Sequence, residues 1–457
     1  MPMPCRRLLP ITLTLTLLFA AQAHAALYPV ANYGARGDGT TVDTASIQNA
    51  IDAAAHTGGT VIFKPGTYLT GALFLKSSIH FQVDEGVTLI GIQKLEAYPI
   101  LPTRVAGIEM KWPAALINVY EQSNVTLSGK GTIDGDGKFW WDGYWALRRD
   151  YDKKGLRWAA DYDAQRPRLI QIFNSKNVKL EGLLLRRSGF WTVHICYSND
   201  VTVDGVTIRN NEGGKGPSTD GIDIDSSTHV LVQHADIEVN DDALCLKAGR
   251  DSDGLRVNRP TEHVVIRDSI IRVGAAGITF GSETSGGFRD IEAYNLHVLN
   301  GAPNGILFKS AHVRGGWGED IRLHDMDMEG VAVPIAINMN WNPAYSYATL
   351  PQGQSNIPGY WRVLTTKVPA DKGLPHFHDV HIWNIKATGA RRAFSVSAYP
   401  DAPLVNFRFD HLDIAAQTAG SIADAKDWTF STTQLLIADG TTVTVKDSES
   451  VTGLPQK

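Results

Sequence analysis

A six-residue unit recurs along the chain: Asn, Asp or His comes first, apolar residues alternate, and Asp, Gly or another polar residue ends it. The unit begins at Asn124, Asn177, Asp200, His229, His263, Asp290, Asp320, Asp379 and Asn406. Successive starts from Asn177 to Asp320 differ by 23, 29, 34, 27 and 30 residues. Period-2 alternation predicts a strand, and recurrence at this spacing is typical of a solenoid. We therefore predict an all-β, right-handed parallel β-helix, because a two-layer sandwich does not normally repeat a unit of this length.

The N-terminal part of the chain predicts a cap for this solenoid. Residues 43–57 read as a short helix with Ile47, Ile51 and Ala54 on one face. Asp43 is a suitable N-cap, and the glycine pair that follows the segment is a stop signal. Because the ends of a solenoid need covering, we expect this helix to close the first coil.

The wider gaps between units, near Asn124 and before Asp379, hold insertions. The insertion from Trp140 to Arg168, which we call the aromatic insertion, is rich in aromatic and charged side chains, Trp158 among them. Loops that decorate a solenoid often form the walls of its binding groove, and flat aromatic faces suit sugar rings. Packing of the insertion onto the scaffold explains the same aromatic residues equally well. If the insertion forms a wall, we expect it to close one end of the groove into a pocket.

Residues 1–25 have the form of a secretory signal peptide, with Arg6 and Arg7 before a short apolar run and Ala-His-Ala before the expected cleavage point. The mature chain, residues 26–457, then reads as a single β-helix domain that is secreted or periplasmic. Its formal charge, −5 for the full chain, becomes −7 without the two arginines. This acidic total argues against nucleic acid as a partner. No later run is long enough to span a bilayer, so we expect no membrane partner after cleavage. The oligomeric state stays open.

Cys196 and Cys245 are the cysteines of the mature chain. About two coils separate them, which corresponds to roughly 10 Å on one stack of coils and is too far for a disulfide. We expect two buried free thiols. Their spacing is not that of a zinc or iron–sulfur site, and we expect neither a metal nor a cofactor.

Three aspartates carry the most informative chemistry. Asp220 lies in STDGIDID, and Asp241 and Asp242 follow 21 and 22 residues later in VNDDALCLKAG. That gap is about one coil, and adjacent coils stack roughly 4.8 Å apart. We expect the carboxyls to meet on one wall, where like charges separate pKa values as a general acid and a general base require. Consecutive strand residues point to opposite faces, so Asp241 and Asp242 can share a cleft only at a strand end or a bulge.

These motifs resemble glycoside hydrolase family 28, the polygalacturonases and rhamnogalacturonan hydrolases, over most of the mature chain. The similar segments are NYGARGDG, GGTVIFKPGTY, GTIDGDG, RPRLI, the aspartate motifs, GSETSGG and GILFKSAHVRGG, which begin at Asn32, Gly58, Gly131, Arg166, Ser218, Val239, Gly281 and Gly305. The family's Asn-Thr-Asp-Gly pattern stands here as residues 218–221. Its Asp pair with a downstream Lys stands as Asp241, Asp242 and Lys247. The GSETSGG segment and the long loops resemble the exo-acting branch.

The resemblance implies hydrolysis of α-glycosidic bonds in pectin with inversion at the anomeric carbon. It makes Asp241 the general acid, and it makes Asp220 and Asp242 the residues that hold and activate the water. An inverting enzyme keeps its acid and base roughly 6.5 Å or more apart so that this water fits. A solvated turn, in which one aspartate caps backbone amides, is the alternative for the pair.

Two positions depart from the family pattern. Ala275 stands where the family usually carries His, and Leu307 stands where an Arg contacts the substrate carboxylate. The rhamnogalacturonan-cleaving branch of the family also departs at such positions. Together with the GSETSGG segment and the long loops, this favours an exo-acting or rhamnogalacturonan-type enzyme over an endo-polygalacturonase. Lys309, the surviving lysine of that motif, and Lys247 are candidates to bind a sugar carboxylate as point charges.

The other substrate-binding candidates are Glu283, Arg250 and Trp158. Glu283 suits a sugar hydroxyl or a turn. Arg250 could replace the missing arginine, and so could three arginines in nearby loops, Arg256, Arg259 and Arg289. Each of the four also reads as a solvated surface charge. For Asp223 and Asp225 we favour turn or ladder hydrogen bonds over catalysis, and for His194 a satisfied buried position.

Two alternatives to a hydrolase of pectic polysaccharides or oligosaccharides stay open. A polysaccharide lyase on a similar scaffold would use a Lys or Arg base and Ca²⁺ held by carboxylates such as the three aspartates. A non-catalytic polysaccharide-binding protein would explain why Ala275 and Leu307 replace functional residues.

Overall fold

The recurring units form one continuous face of a parallel β-helix in the computed structural model, which describes Met1, residues 26–353 and residues 356–455. Val178 pairs with Val201 of the next coil, Val201 with Val230, and Val230 with Val264. These registers reproduce the sequence spacings of 23, 29 and 34 residues. The predicted all-β, right-handed parallel β-helix is confirmed. Apart from Met1, the predicted signal peptide lies outside the described residues.

Equivalent strands of successive coils stack into three faces. The motif face, built from the recurring units, contains Leu27–Pro29, Thr60–Ile62, His80–Gln82, Ser123–Ser128, Lys176–Glu181, Asn199–Asp204, Thr228–Gln233, Ala425–Ser431 and Glu449–Thr452. The second face contains Asp38–Val42, Gly66–Thr70, Val87–Gly91, Thr132–Asp134, Leu184–Arg186, Thr207–Arg209, Asp236–Glu238 and Gln434–Ile437. The site face contains Leu73–Leu75, Ile117–Tyr120, Ile170–Phe173, Val193–Cys196, Ile222–Asp225, Leu244–Lys247, Ala276–Phe280, Asn304–Lys309, Val333–Asn338 and Thr444–Lys446.

Longer strands connect these faces in the later coils. Thr261–Val273, Phe288–Val298 and Trp317–Glu329 run from the motif face into the second face. His376–Ser397 and Leu404–Ala423 continue into the site face as well. The three faces are therefore parts of one hydrogen-bonded sheet.

The ends of each recurring unit adopt the left-handed backbone conformation, and this explains their composition. The first residues, from Asn124 to Asn406, have φ between 51° and 58°, and the last residues, from Gly129 to His411, also have positive φ. Gly, Asn, Asp and His tolerate this conformation far better than β-branched or bulky residues do. Each such residue bends the extended chain. The polar punctuation in the sequence therefore marks bends, with a short apolar strand between them.

Alternate strand residues point into the coil and form the hydrophobic core. On the site face Ile222, Ile224, Leu244 and Leu246 are fully buried in this way. Further along the stack, the rings of core phenylalanines lie parallel, with centroids 4.5 Å apart. Cys196 and Cys245 lie on the opposite, outward side of the same face, where inserted segments cover them; both are free and buried, as predicted.

A helix, Thr44–Ala55, covers the first coil as predicted, and Ile47, Ile51 and Ala54 form its buried face. Asp43 occupies the N-cap position, but its side chain does not cap the helix. Its carboxylate instead accepts hydrogen bonds from the backbone N–H groups of Arg36 and Gly37, at 2.8 and 3.0 Å. The cap residue therefore braces the preceding loop.

Inserted segments lie over the site face. An antiparallel hairpin, Ile100–Val105 with Ile108–Pro113, is one of them, and we call it the hairpin. The helical segments are Lys138–Lys153, Ala160–Asp163, Asp251–Val257, Pro343–Ser346, Gly359–Leu364 and Ala370–Gly373, with short 3₁₀ turns at Val30–Tyr33, Leu95–Ala97 and Arg157–Ala159. Within the described part of the chain, no helix combines the length and the apolar character needed to cross a bilayer.

Candidate active site

The alternation of the site face sets the position of the acidic residues. In Ile222–Asp225 the isoleucines point inward, so Asp223 and Asp225 point outward. In the next coil Leu244–Lys247 turns Cys245 and Lys247 outward in the same register. The backbone N–H of Gly221 donates to the carbonyl of Asp242 at 2.9 Å, which places Asp220 directly beside the Asp241–Asp242 pair. The predicted separation of one coil is therefore what the structure has.

Asp241 and Asp242 lie in the turn that precedes Leu244–Lys247, and strand alternation does not separate them. Asp242 is 1% exposed, whereas Asp241 is half-buried. Both side chains, together with Asp220, line one pocket. Asp241 and Asp242 therefore share one cleft because they lie at the end of a strand, as expected.

This pocket, which we call the site pocket, is mostly polar. Its lining residues are Ala106, Arg157, Asp161, Phe190, Trp191, Ser218, Asp220, Asp241, Asp242, Lys247, Ser282, Glu283, Lys309, Trp341 and Tyr345. The catalytic candidates Asp220, Asp241 and Asp242 and the binding candidates Lys247, Glu283 and Lys309 thus meet in one place, while Arg250 and Trp158 do not line it.

Burial and mutual repulsion raise the pKa values of the central carboxyls. Burial, reinforced by Asp242, raises the pKa of Asp241 to about 6. Burial, with Asp223 and Asp241 adding to it, holds the pKa of Asp220 well above its usual range. Burial also raises the pKa of Asp223 to about 8, although Lys247 opposes this shift. Near neutral pH the cluster therefore retains protons that exposed carboxyls would have lost.

Lys247 is the cationic centre of one half of the site pocket. Its Nζ lies 3.6 Å from Asp220 Oδ2, 3.5 Å from Asp223 Oδ1 and 3.3 Å from Glu283 Oε2. Glu283 also accepts a hydrogen bond from the Tyr345 hydroxyl at 3.0 Å. Although burial opposes the shift, Lys247 and nearby arginines lower the pKa of Glu283 to about 2. Glu283 is therefore a buried carboxylate with protein partners.

Lys309 binds Asp242 directly. Its Nζ donates to Asp242 Oδ2 at 2.6 Å and lies over the ring of Trp341, 4.4 Å from the centroid. The hydroxyl of Thr279 donates to the other oxygen of Asp242 at 3.0 Å. Two donors therefore fix the orientation of the Asp242 carboxyl.

The hairpin covers the site face on the N-terminal side of the pocket. Arg104 Nη1 donates to Asp225 Oδ1 at 2.8 Å, and both side chains are 0% exposed. His194 is also fully buried, with Nε2 3.4 Å from Asp225 Oδ2, and burial lowers its pKa to about 4. The Tyr162 hydroxyl donates to the Ala106 carbonyl at the hairpin tip, at 2.8 Å. These contacts close the groove over the earlier coils.

The aromatic insertion is held mainly by packing. Trp140, Trp141, Tyr144 and Trp158 are at most 7% exposed, and Trp158 packs edge-on against Trp361 with centroids 4.9 Å apart. None of these four residues lines the site pocket. The packing interpretation therefore describes these four aromatics in this structure, and Trp158 lies outside the site pocket. What this insertion contributes to the pocket is Arg157 and Asp161.

Arg250 also lies outside the site pocket, and it is not a solvated surface charge. Its side chain is 0% exposed, and its nitrogens donate to Asp251, to the Tyr162 hydroxyl and to the carbonyl of Tyr345. Arg250 therefore ties the aromatic insertion to the loop that carries Tyr345. Contacts between residues about 90 positions apart leave no local signal in a single sequence.

The donor set does not suit a calcium ion. Asp220, Asp242 and Cys245 bring one potential ligand atom each to within 4.8 Å of one another. Ca²⁺ selects oxygen ligands, and one of these three atoms is a sulfur. The ammonium groups of Lys247 and Lys309 already contact Asp220 and Asp242. A further cation would meet two positive charges there.

The sequence profile of the family described as glycosyl hydrolases family 28 matches residues 61–357, which is more than half of the chain. The chain belongs to glycosyl hydrolases family 28. The family and the hydrolase class predicted from sequence are confirmed.

The chain is similar to a probable polygalacturonase of Vitis vinifera, at 30% identity over 68% of this chain and 62% of that protein. It is thus shorter than this relative, and the match spans less than two thirds of the relative's length. An endo-polygalacturonase of Pectobacterium carotovorum subsp. carotovorum is 29% identical over 73% of this chain and 82% of its own. The crystal structure of a hyperthermoactive exopolygalacturonase from Thermotoga maritima superimposes with a TM-score of 0.71 at 26% identity, covering 92% of each chain.

The two departures from the family 28 pattern have clear positions. The backbone N–H of Ala275 donates to the carbonyl of Asp241 at 2.8 Å, so the missing imidazole would have lain beside the candidate acid. Leu307 is 6% exposed and packs with Ala276, Val333 and Ala336. An apolar patch therefore stands where the family pattern has an arginine.

Among the nine pocket residues that were absent from the set of site candidates are Arg157, Asp161, Trp341 and Tyr345. Arg157 and Asp161 are four residues apart on one helical turn, and this spacing is the signal that could have paired them. Tyr345 and Trp341 come from the insertion that precedes Asp379. The position of this insertion over the pocket depends on contacts with residues that are distant in sequence.

Proposed function

We propose that this family 28 member hydrolyses α-glycosidic bonds of pectin, in a backbone that contains galacturonic acid, by an inverting mechanism. The observation that carries the proposal is the meeting of Asp220, Asp241 and Asp242 in one pocket, where burial raises the pKa of Asp241 to about 6. A carboxyl with this pKa keeps its proton in mildly acidic solution and can give it to the leaving oxygen. Asp241 is therefore the general acid.

In this mechanism Asp220 and Asp242 hold the attacking water. They place one ligand oxygen each within 4.8 Å, a gap that a water can bridge with hydrogen bonds of about 2.8 Å to each side. Burial raises the pKa of Asp220, so Asp220 holds the water as a neutral carboxylic acid. Asp242, oriented by Lys309 and Thr279, takes the proton as the water attacks the anomeric carbon.

We further propose that the enzyme acts from a chain end. Over the earlier coils, the outward residues Gln171, His194 and Asp225 are at most 2% exposed beneath the hairpin. Over the later coils, Asn338 is half-buried and Ser397 is exposed. This difference supports a path for the polysaccharide from the pocket toward the later coils. A groove open at one end favours exo action over internal cleavage.

The relatives' names point to polygalacturonan, and the chain's own departures leave room for a rhamnogalacturonan. The apolar patch around Leu307 takes the place of one cation that the family pattern offers to an acidic sugar. Either backbone contains galacturonic acid, so the proposed class covers both.

We also propose that residues 26–457 are a single catalytic domain that works outside the cytoplasm, in the periplasm or the medium. The apolar run within residues 1–25 and its small-residue end support the export step. The shared sheet, which joins all three faces, supports one domain. N-terminal sequencing of the exported protein should begin at Ala26; retention of Arg6 and Arg7 would contradict the export proposal.

Product analysis separates this proposal from its alternatives. The enzyme is incubated with homogalacturonan and with rhamnogalacturonan oligomers of defined length, and products are identified by mass spectrometry. We expect release of one small product from the chain end from the first minutes, with the remaining oligomer shortened in steps. Random internal fragments would contradict exo action. A product with ultraviolet absorbance from a new double bond would indicate a lyase, and binding without cleavage would indicate a non-catalytic protein.

A further inference from the structure

We propose that Arg157, from the aromatic insertion, binds the carboxylate of the uronic acid in the site pocket and so does the work of the arginine that Leu307 replaces. The inference rests on the proposed function, because it assumes an acidic sugar in this pocket. It identifies a specificity residue that lies outside the family's aspartate and lysine motifs.

The guanidinium of Arg157 is held in place by its contacts, and some of its N–H donors are not used by the protein. It lines the site pocket, and its side chain is 14% exposed. Nη1 donates to Asp161 Oδ2 at 2.8 Å, and the guanidinium lies over the Tyr345 ring, 4.9 Å from the centroid. Within the described residues this is its one side-chain hydrogen bond, and Nε is buried without a partner. The planar group is therefore fixed, yet part of its fork is unused.

The charge balance of the pocket singles out Arg157 among the three lining cations. Lys309 is bound to Asp242 at 2.6 Å, and Lys247 is shared by Asp220, Asp223 and Glu283. Asp161 in contrast contacts two cations, because Arg166 Nη2 lies 3.4 Å from its other oxygen. Arg157, Asp161 and Arg166 together carry a net positive charge. An incoming carboxylate is attracted to this group, whereas Lys247 and Lys309 are already paired with protein carboxyls.

The group lies next to the proposed chemistry. The hydroxyl of Ser218, two residues before Asp220, donates to Asp161 Oδ1 at 2.7 Å. Asp161 is also near enough to Asp241 to contribute to its raised pKa. A carboxylate held by Arg157 therefore belongs to the sugar at the cleavage point. Because guanidinium and carboxylate match as planar forks, Arg157 fixes the orientation of the ring as well as its charge.

Paired substrates test the inference: an α-linked galacturonate oligomer and the same oligomer fully methyl-esterified. Arg157→Gln should lower kcat/KM for the free acid by about 10- to 100-fold, the effect of a lost charge-assisted hydrogen bond. It should leave kcat/KM for the ester within about twofold, since the ester has no charge to bind. Arg157→Lys, which keeps the charge but not the fork, should fall between wild type and Arg157→Gln on the acid.

Arg148→Gln is the matched control, because Arg148 lies in the same insertion, pairs with Asp152 and does not line the pocket. It should behave as wild type on both substrates. Equal losses on acid and ester in Arg157→Gln, or no change on either, would overturn the inference. If Arg157→Gln fails to fold by circular dichroism, Arg157→Lys decides, since it can keep the pair with Asp161: an acid-to-ester ratio equal to that of wild type would then refute the role.

Binding separates this inference from the proposed function. Calorimetry of galacturonic acid with the Asp241→Asn variant should give a Kd that rises by about tenfold or more when Arg157→Gln is added. If wild type hydrolyses neither oligomer, the proposed function fails, and this titration still tests Arg157. If the second substitution leaves Kd unchanged, Arg157 does not bind the carboxylate, whatever the enzyme hydrolyses.

Discussion

The motif face and the site face are built from the same coils, yet they treat their charges in opposite ways. On the motif face Asp290 pairs with Arg322 and His263, and these side chains are 31–43% exposed. On the site face Arg104 and Asp225 are 0% exposed. Hydrogen bonds from Arg322 and His263 lower the pKa of Asp290, whereas burial raises the pKa of Asp241 to about 6. The repeat places stacked charged side chains on both faces. The insertions exclude water from the site face, and this burial gives its central carboxyls their raised pKa values.

The largest contrast should appear in catalysis. Asp241→Asn removes the proton donor of the site face and should lower kcat by about 10²- to 10⁴-fold. Asp200→Asn on the motif face changes an exposed side chain and should leave kcat unchanged. Initial rates of reducing-sugar release measure both. Comparable rates for the two variants would mean that the buried carboxyl is not the acid.

The second contrast concerns the free energy of unfolding. Arg104→Met leaves Asp225 buried without its cation and should cost about 3–5 kcal/mol. Arg322→Met removes exposed pairs on the motif face and should cost no more than about 1 kcal/mol. Denaturant unfolding followed by circular dichroism measures the two values. Equal losses would show that the hairpin contact is not a buried ion pair in solution.

The third concerns the pH dependence of activity. Asp241 must carry its proton to act as the acid, and its pKa is raised to about 6. Above that pH the protonated fraction falls, so kcat/KM should drop by about tenfold per pH unit. A profile of kcat/KM against pH tests this. Activity that stays constant to about pH 8 would require a different acid.

The smallest contrast is in thermal stability. The pKa of Asp223 is raised to about 8, so the folded protein keeps a proton that the unfolded chain loses above its pKa of 3.8. Stability from this residue is therefore lost as pH rises from 3.8 toward 8, and Asp223→Asn should raise Tm by about 1–3 °C at neutral pH. The gain should shrink as pH falls toward 4.

The exposed counterpart of this variant should have the opposite sign. Asp290 has a lowered pKa, so its stabilisation is present above the unfolded pKa and is lost as pH falls through the folded value. Asp290→Asn should therefore lower Tm slightly at neutral pH, since solvent screens the pairs. A rise in Tm for both variants would contradict the comparison.

Local pattern was enough to predict the coils and the meeting of the aspartates. Residues such as Asn177 and His229 take positive φ, which few residue types tolerate, so their recurrence reports the coil spacing directly. Once the spacing is known, the gap from Asp220 to Asp242 places one above the other. These inferences depend on neighbouring coils alone.

The roles of individual basic and aromatic residues could not be predicted in the same way. Arg250 is fixed by Tyr162 and Tyr345, and Trp158 by Trp361, all of which are distant in sequence. Whether such a residue faces substrate or the interior depends on how two insertions and the hairpin pack together. A single sequence has no periodicity that reports that packing, so it does not show that Arg250 and Trp158 lie outside the site pocket.

Proton NMR of the first product formed from an α-linked galacturonate oligomer tests the central claim most directly, namely that the buried carboxyls of the site face catalyse an inverting hydrolysis. The account predicts that the β-anomer of the released sugar appears first and then mutarotates toward equilibrium. Initial release of the α-anomer, or of an unsaturated sugar, would contradict it.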